Sequence, residues 1–161
     1  MSAAKILPLE VVAERLAVLR AAGKKIVQCH GCFDLMHIGH IRHLQAAKRL
    51  GDRLVVTVTA DHYVAKGDGR PVFGETLRAE ALAALECVDF VAINRWPTAA
   101  EAIRLLRPEY YVKGQTCAIP SQRSERLRAE IAALHESGGE IRFTDEIVFS
   151  STALMKTLPR G

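Results

Sequence analysis

A chain of 161 residues, 49% hydrophobic and 25% charged, has the make-up of an ordinary globular protein. It is long enough to bury a core without disulfide or metal staples and short enough to be one domain. The formal net charge of +4 comes from scattered Lys and Arg without a basic run, which suits an anionic small molecule and argues against nucleic acid. No signal-peptide pattern opens the sequence and no apolar stretch reaches spanning length. A cytoplasmic location is therefore expected, with no membrane partner and with Cys29, Cys32, Cys87 and Cys117 reduced.

In chain order, Val11, Val12, Leu16 and Leu19 predict an amphipathic helix that Gly23-Lys24-Lys25 ends, and Ile26–Cys29 predicts a buried strand. Gly39–Leu50 reads as a helix with Ile41, Leu44 and Ala47 on one face and Gly51 as its stop. The β-branched run Leu54–Thr59 is the clearest strand. Lys66–Pro71 is a loop by composition. A helix over Glu75–Leu85, the strand Phe90–Ile93, a helix over Ala99–Leu106 and the strand Tyr110–Val112 follow. The chain closes with a helix over Glu125–His135, the strand Ile141–Phe143 after Gly138-Gly139, and a short helix over Leu154–Leu158.

This alternation predicts an α/β fold, a Rossmann-like open parallel sheet with helices on both faces. We expect a single domain over 1–161, with an N-terminal helical segment over 1–24 and the core over 25–158. Ligands of such sheets gather beyond the carboxyl ends of the strands, at a topological switch point. That rule brings four segments together: Gly31–His40, the Lys66 loop, Val112-Lys113-Gly114 and the stretch around Ser150.

His37-Ile38-Gly39-His40 stands where a strand hands over to a helix. Residues three apart at a helix start face the same side, beside backbone N–H groups and the positive end of the helix dipole. That is a natural place for phosphate oxygens, and Gly39 lets a ligand approach the backbone.

On these residues the chain resembles the cytidylyltransferase-like branch of the nucleotidylyltransferase superfamily, whose His-x-Gly-His signature class I aminoacyl-tRNA synthetases share. It looks most like the sugar-phosphate adenylyltransferase domain of heptose biosynthesis, and next like glycerol-3-phosphate cytidylyltransferase. The likeness runs from about Gly23 to Leu158. It includes Gly31-Cys32-Phe33-Asp34, Gly51-Asp52-Arg53-Leu54, Lys66 through Val72, Val112-Lys113-Gly114 and Ser150-Ser151-Thr152.

The resemblance implies a one-step transfer of a nucleotidyl group from ATP or CTP to a small phosphorylated acceptor, with Mg²⁺ accompanying the nucleotide. His37 and His40 would hold the triphosphate and stabilise the transition state. Lys66 would bring charge to the phosphates or the acceptor, with Arg70 as second candidate and Arg78 adding charge from the next helix. Gly31, Cys32, Phe33, Asp34, Gly39, Lys113 and Gly114 would line the nucleotide site, Asp34 orienting the turn. Ser150, Ser151 and Thr152 would grip the β- and γ-phosphates, and Trp96 and Thr116 are further acceptor candidates. Relatives are commonly homodimers, so a homodimer is expected by analogy. Three positions depart from the family's pattern: Thr116 stands where heptose relatives carry Asp, Asp145 lies nearest an Arg of the cytidylyltransferases, and His30 replaces Asn or a small residue.

Other readings of the same residues fit less well. Cys29-His30-Gly31-Cys32 is formally a C-x-x-C, yet Cys29 belongs to the strand and the second pair of a structural zinc site is missing. His37, His40 and His43 recur at helical spacing, but a zinc reading leaves Gly39 without a role. No dinucleotide-binding or P-loop glycine pattern occurs. The alternatives retained are a nucleotidylyltransferase for a cofactor precursor, such as a flavin or pantetheine phosphate, and a nucleotide-binding module without turnover.

Overall fold

The computed structural model describes residues 2–145 and 151–157. Five strands, β1 (Ile26–Gly31), β2 (Arg53–Thr59), β3 (Phe90–Asn94), β4 (Tyr110–Gly114) and β5 (Glu140–Thr144), form one sheet in the order β3-β2-β1-β4-β5. All four pairings are parallel, with Cys29 in register with Val56 on one side and Val112 on the other. The chain winds outward from β1 to β3, then returns to the opposite side of β1, so the switch point lies between β1 and β4.

The crossovers supply the covering layers. Helices α2 (Ile38–Lys48) and α3 (Glu75–Ala83) bury Leu44, Ala47, Ala79 and Leu82 against Val27, Leu54, Val56 and Val91. On the other face, α1 (Leu9–Ala21) and α4 (Ala100–Leu106) cover Ile26, Val55 and Ala92. Beside α4, α5 (Glu125–Glu136) packs Leu127, Ala133 and Leu134 over Tyr111. Strand residues therefore sort to the two faces by parity, as the period of two requires. A short helix, α6 (Ser151–Thr157), ends the described chain.

Gly51 shows why the turn between α2 and β2 needs its residue: an added Cβ would stand 2.7 Å from Val27 Cγ2 and 2.9 Å from the Lys25 carbonyl oxygen. Most boundaries shift by one to three residues from expectation; the last helix starts at Ser151 rather than Leu154, and Leu158 lies outside the described residues. β1 continues to Gly31, so Cys29 lies inside the strand, fully buried, and burial pushes its thiol up to about 12. That places it outside the helix-opening context of a redox C-x-x-C. α3 stops at Ala83 rather than Leu85. Among the described residues, no helix is long and apolar enough to cross a membrane.

Candidate active site

The turn from β1 into α2 holds two non-glycine residues at positive φ, Phe33 at 53° and Leu35 at 54°. Such backbone costs free energy and persists only where its surroundings hold it. Two anchors do so here. The Phe33 ring is buried in the core and meets His40 edge-on at 5.6 Å. The Asp34 carboxylate, 1% exposed, accepts from Arg70 Nε at 2.6 Å and from the Val72 and Phe73 N–H groups at 2.9 and 3.1 Å. Burial alone would raise the Asp34 pKa, but these hydrogen bonds and the Arg70 charge outweigh it and hold it below the usual value.

His37 caps α2 from an extended backbone conformation. Its Nδ1 accepts from the Gly39 N–H at 3.1 Å, while His40 Nδ1 accepts from the His37 N–H at 3.3 Å. The two rings stack with centroids 4.0 Å apart. Because each Nδ1 is an acceptor, each neutral ring carries its hydrogen on Nε2. The motif thus fixes two imidazoles as Nε2–H donors. Burial, with the neighbouring His37 and Lys66 charges, lowers the His40 pKa to about 4, so at neutral pH His40 offers a hydrogen-bond dipole rather than a charge. Some N–H groups at the helix start, expected to be open to a ligand, are instead taken by the imidazoles. His43, one turn on, pairs with Thr144 Oγ1 at 2.7 Å and lies against β5.

Beyond β1 and β4, on the α5 side of the sheet, lies a pocket of about 510 Å³. Gly31, Cys32, Lys66, Lys113 and Thr116 line it, so the switch-point grouping assembles from three of the four expected segments. Ser150, in the fourth, lies outside the described residues, as do the side chains of Ser151 and Thr152. Gly39 is buried in the first turn of α2, and Gly114 ends β4.

Three candidates lie deeper or elsewhere than expected. Arg78 does not lie on the helix surface. It is 2% exposed and donates to the carbonyls of Phe73, Cys32 and Thr59 at 2.9, 2.6 and 2.7 Å and to Asp61 at 2.6 Å. It stitches the loops after β1 and β2 together. Arg70 is likewise drawn in, its side chain 5% exposed against Asp34, with Nη1 3.6 Å from Met155 Sδ of α6. Trp96 packs against the α1 cluster beyond the edge strand β3, under Arg95 at 4.7 Å, and does not line the pocket.

Sequence reasoning missed the pocket's floor and far wall. His30 is held by Thr57 Oγ1 at 3.0 Å and Thr59 Oγ1 at 3.4 Å. Burial, reinforced by Lys113 and Arg126, lowers its pKa to about 3. Ser124, which caps α5 by accepting from the Leu127 N–H at 3.2 Å, joins Arg126 and Glu130 along the wall. The basic residues before and inside the first turn of α5 were a signal that could have placed this helix start at the site. Glu130 had none.

Residues 28–156 match the cytidylyltransferase-like family. The bifunctional protein HldE of Citrifermentans bemidjiense is 45% identical over 115 residues, 70% of this chain and 24% of that protein. HldE of Geobacter sulfurreducens is 42% identical over 113 residues, 69% of this chain and 23% of that protein. The chain thus spans about a quarter of the length of these relatives. Among solved structures, the lipopolysaccharide core biosynthesis protein of Thermoplasma volcanium GSS1 aligns with a TM-score of 0.63 and 26% identity, over 78% of this chain and 100% of that one.

Proposed function

The chain belongs to the cytidylyltransferase-like family, and from that premise we propose that it transfers a nucleotidyl group from ATP or CTP to a phosphorylated sugar or polyol, releasing pyrophosphate. The observation that carries this reading is the imidazole pair. His37 and His40 are held as Nε2–H donors at the start of α2, in a turn braced by Asp34. Donors preorganised where negative charge develops are the main tool of phosphoryl-group catalysis.

In the proposed reaction an oxygen of the acceptor phosphate forms a bond to the α-phosphorus. The bond from that phosphorus to the oxygen bridging it to the β-phosphorus breaks, and pyrophosphate leaves with the electron pair. A phosphate nucleophile is anionic at neutral pH, so the residues need to position and neutralise rather than remove a proton. His40 and His37 donate to oxygens on the α-phosphorus and its leaving group. Lys66 supplies charge from the mouth of the pocket and Lys113 from the end of β4.

Mg²⁺ fits this chemistry as a companion of the triphosphate, held by phosphate oxygens and water. Among the described residues no group of three or more His, Cys, Asp or Glu is placed to cage it. When bound it would neutralise the β- and γ-phosphates.

The polar part of the pocket's lining supports an acceptor that carries hydroxyls. The floor and wall present His30, Thr59, Thr116, Ser124 and Glu130. The resemblance of the motifs to the heptose-phosphate adenylyltransferase domain points the same way. The test is a pyrophosphate-release screen crossing the four nucleoside triphosphates with sugar 1-phosphates, polyol phosphates and phosphopantetheine. Release should require Mg²⁺, ATP or CTP, and a phosphorylated sugar or polyol together. Tight triphosphate binding without release on any acceptor would favour the silent binding module.

A further inference from the structure

Glu130 is an oddity of the α5 face. It is 2% exposed and lines the pocket, yet both partners of its carboxylate are neutral. Oε1 accepts from the Ala99 N–H at 3.0 Å, and Oε2 accepts from the Tyr111 hydroxyl at 2.9 Å. A buried carboxylate without a cation is costly unless hydrogen bonds satisfy it, and two donors leave each oxygen with unused acceptor capacity. The cations Lys113 and Arg126 line the same pocket but do not pair with it. The two donors also lock the side chain: one comes from the start of α4 and one from β4, elements whose packing fixes both.

We propose that Glu130 is a specificity-determining residue, its carboxylate accepting a hydrogen bond from a hydroxyl on the carbon skeleton of the acceptor. The proposal rests on the reading of the pocket as the acceptor site. An acceptor of this class carries one anionic end and several hydroxyls. Lys66, whose charge acts on His40, and Lys113, whose charge acts on His43, suit the phosphate. A fixed, acceptor-only carboxylate repels a second anion and rewards a hydroxyl donor. A buried group built to pair with a substrate hydroxyl discriminates strongly against the analogue that lacks it, because the group is then left unpaired.

The experiment compares wild type with Glu130→Gln and Tyr111→Phe. It measures kcat and KM for the best acceptor of the screen and for its monodeoxy analogues, together with triphosphate affinity and melting temperature. The Gln side chain keeps an oxygen for the Ala99 N–H and an N–H for the Tyr111 oxygen, so its fold should survive. The readout is the preference for acceptor over analogue within each variant, from which the folded fraction cancels.

Wild type should prefer the full acceptor over at least one monodeoxy analogue by roughly 10- to 100-fold. In Glu130→Gln that preference should shrink by about tenfold, through KM, with triphosphate affinity unchanged. Tyr111→Phe, which keeps the carboxylate, should retain it. An unchanged preference in Glu130→Gln, with or without a lower melting temperature, would overturn the proposal and leave the reaction intact. Wild type without turnover on every acceptor would instead defeat both.

Discussion

The two sides of the sheet beyond β1 are built from different materials. On the α2 side, the catalytic turn is short in sequence, rests on an apolar core and fixes its histidines through their own backbone. On the α5 side, His30, Thr57, Thr59, Tyr111 and Glu130 come from three strands and a helix and form a polar layer under the pocket. Under the proposed function, the contrast follows from what each side would handle. A triphosphate is the same in every member of a nucleotidylyltransferase family, so a compact local motif serves it. An acceptor varies, and is read by side chains that can change one at a time without disturbing the turn.

The largest effect expected from breaking this division is on the α2 side. His40→Ala should lower kcat by about 10²–10³-fold while the protein stays folded, because it removes a donor that matters most in the transition state. Steady-state kinetics beside a circular dichroism melt decides it, and near-normal kcat would reject the assigned role. Asp34→Ala should lower stability by about 2–4 kcal/mol, since it removes the carboxylate that pairs with the buried Arg70 and releases the Val72 and Phe73 N–H groups. Urea unfolding measures this, and a change under about 1 kcal/mol would show that the bracing of the turn lies elsewhere.

Arg78→Ala sharpens the comparison further. Its guanidinium binds loops rather than open space, so the variant should lose roughly 2–3 kcal/mol of stability. Triphosphate affinity of the folded protein should stay near wild type. Calorimetric titration showing a large affinity loss at unchanged stability would return Arg78 to direct phosphate binding.

These outcomes bear on what the sequence makes legible. The unbroken β-branched run Leu54–Thr59 reports a strand buried on both faces, and the helical spacing of Leu44 and Ala47 reports a helix buried on one. His37 and His40 were legible for the same reason: their partners are their own near neighbours along the chain. The burial of Arg78 was not legible because a charge in a helix ordinarily faces water, and nothing local reveals the Cys32 and Thr59 carbonyls arriving from 46 and 19 residues away. Glu130 was invisible on the same grounds. Its neighbours Ala99 and Tyr111 lie 31 and 19 residues away, and only the packing of α5 on α4 and β4 brings them together. Trp96 drew attention as a lone aromatic before proline, but the hydrophobic effect simply placed it against α1.

The smallest effect expected is on pH dependence. Unfolded, the imidazoles titrate near 6.5; in the fold, burial lowers His40 and His43 to about 4 and His30 to about 3. Between those values the unfolded chain binds more protons than the folded one. Stability is therefore full above pH 6.5 and falls as pH drops toward the folded values. Melting temperature should decline across this range, and His30→Asn should flatten the decline by at most about one proton's share. A profile equally steep in that variant would mean that His30 titrates freely and does not belong to the buried polar floor.

The division between the two sides is tested most directly by ¹⁵N NMR of the histidine rings at pH 7 during stepwise addition of a non-hydrolysable triphosphate with Mg²⁺, then of a phosphorylated sugar. The account predicts that His40 begins as the neutral Nε2–H tautomer, that His37 and His40 signals move with the triphosphate, and that His30 moves only when the sugar phosphate arrives. A triphosphate that shifts His30 and leaves His37 and His40 in place would contradict it.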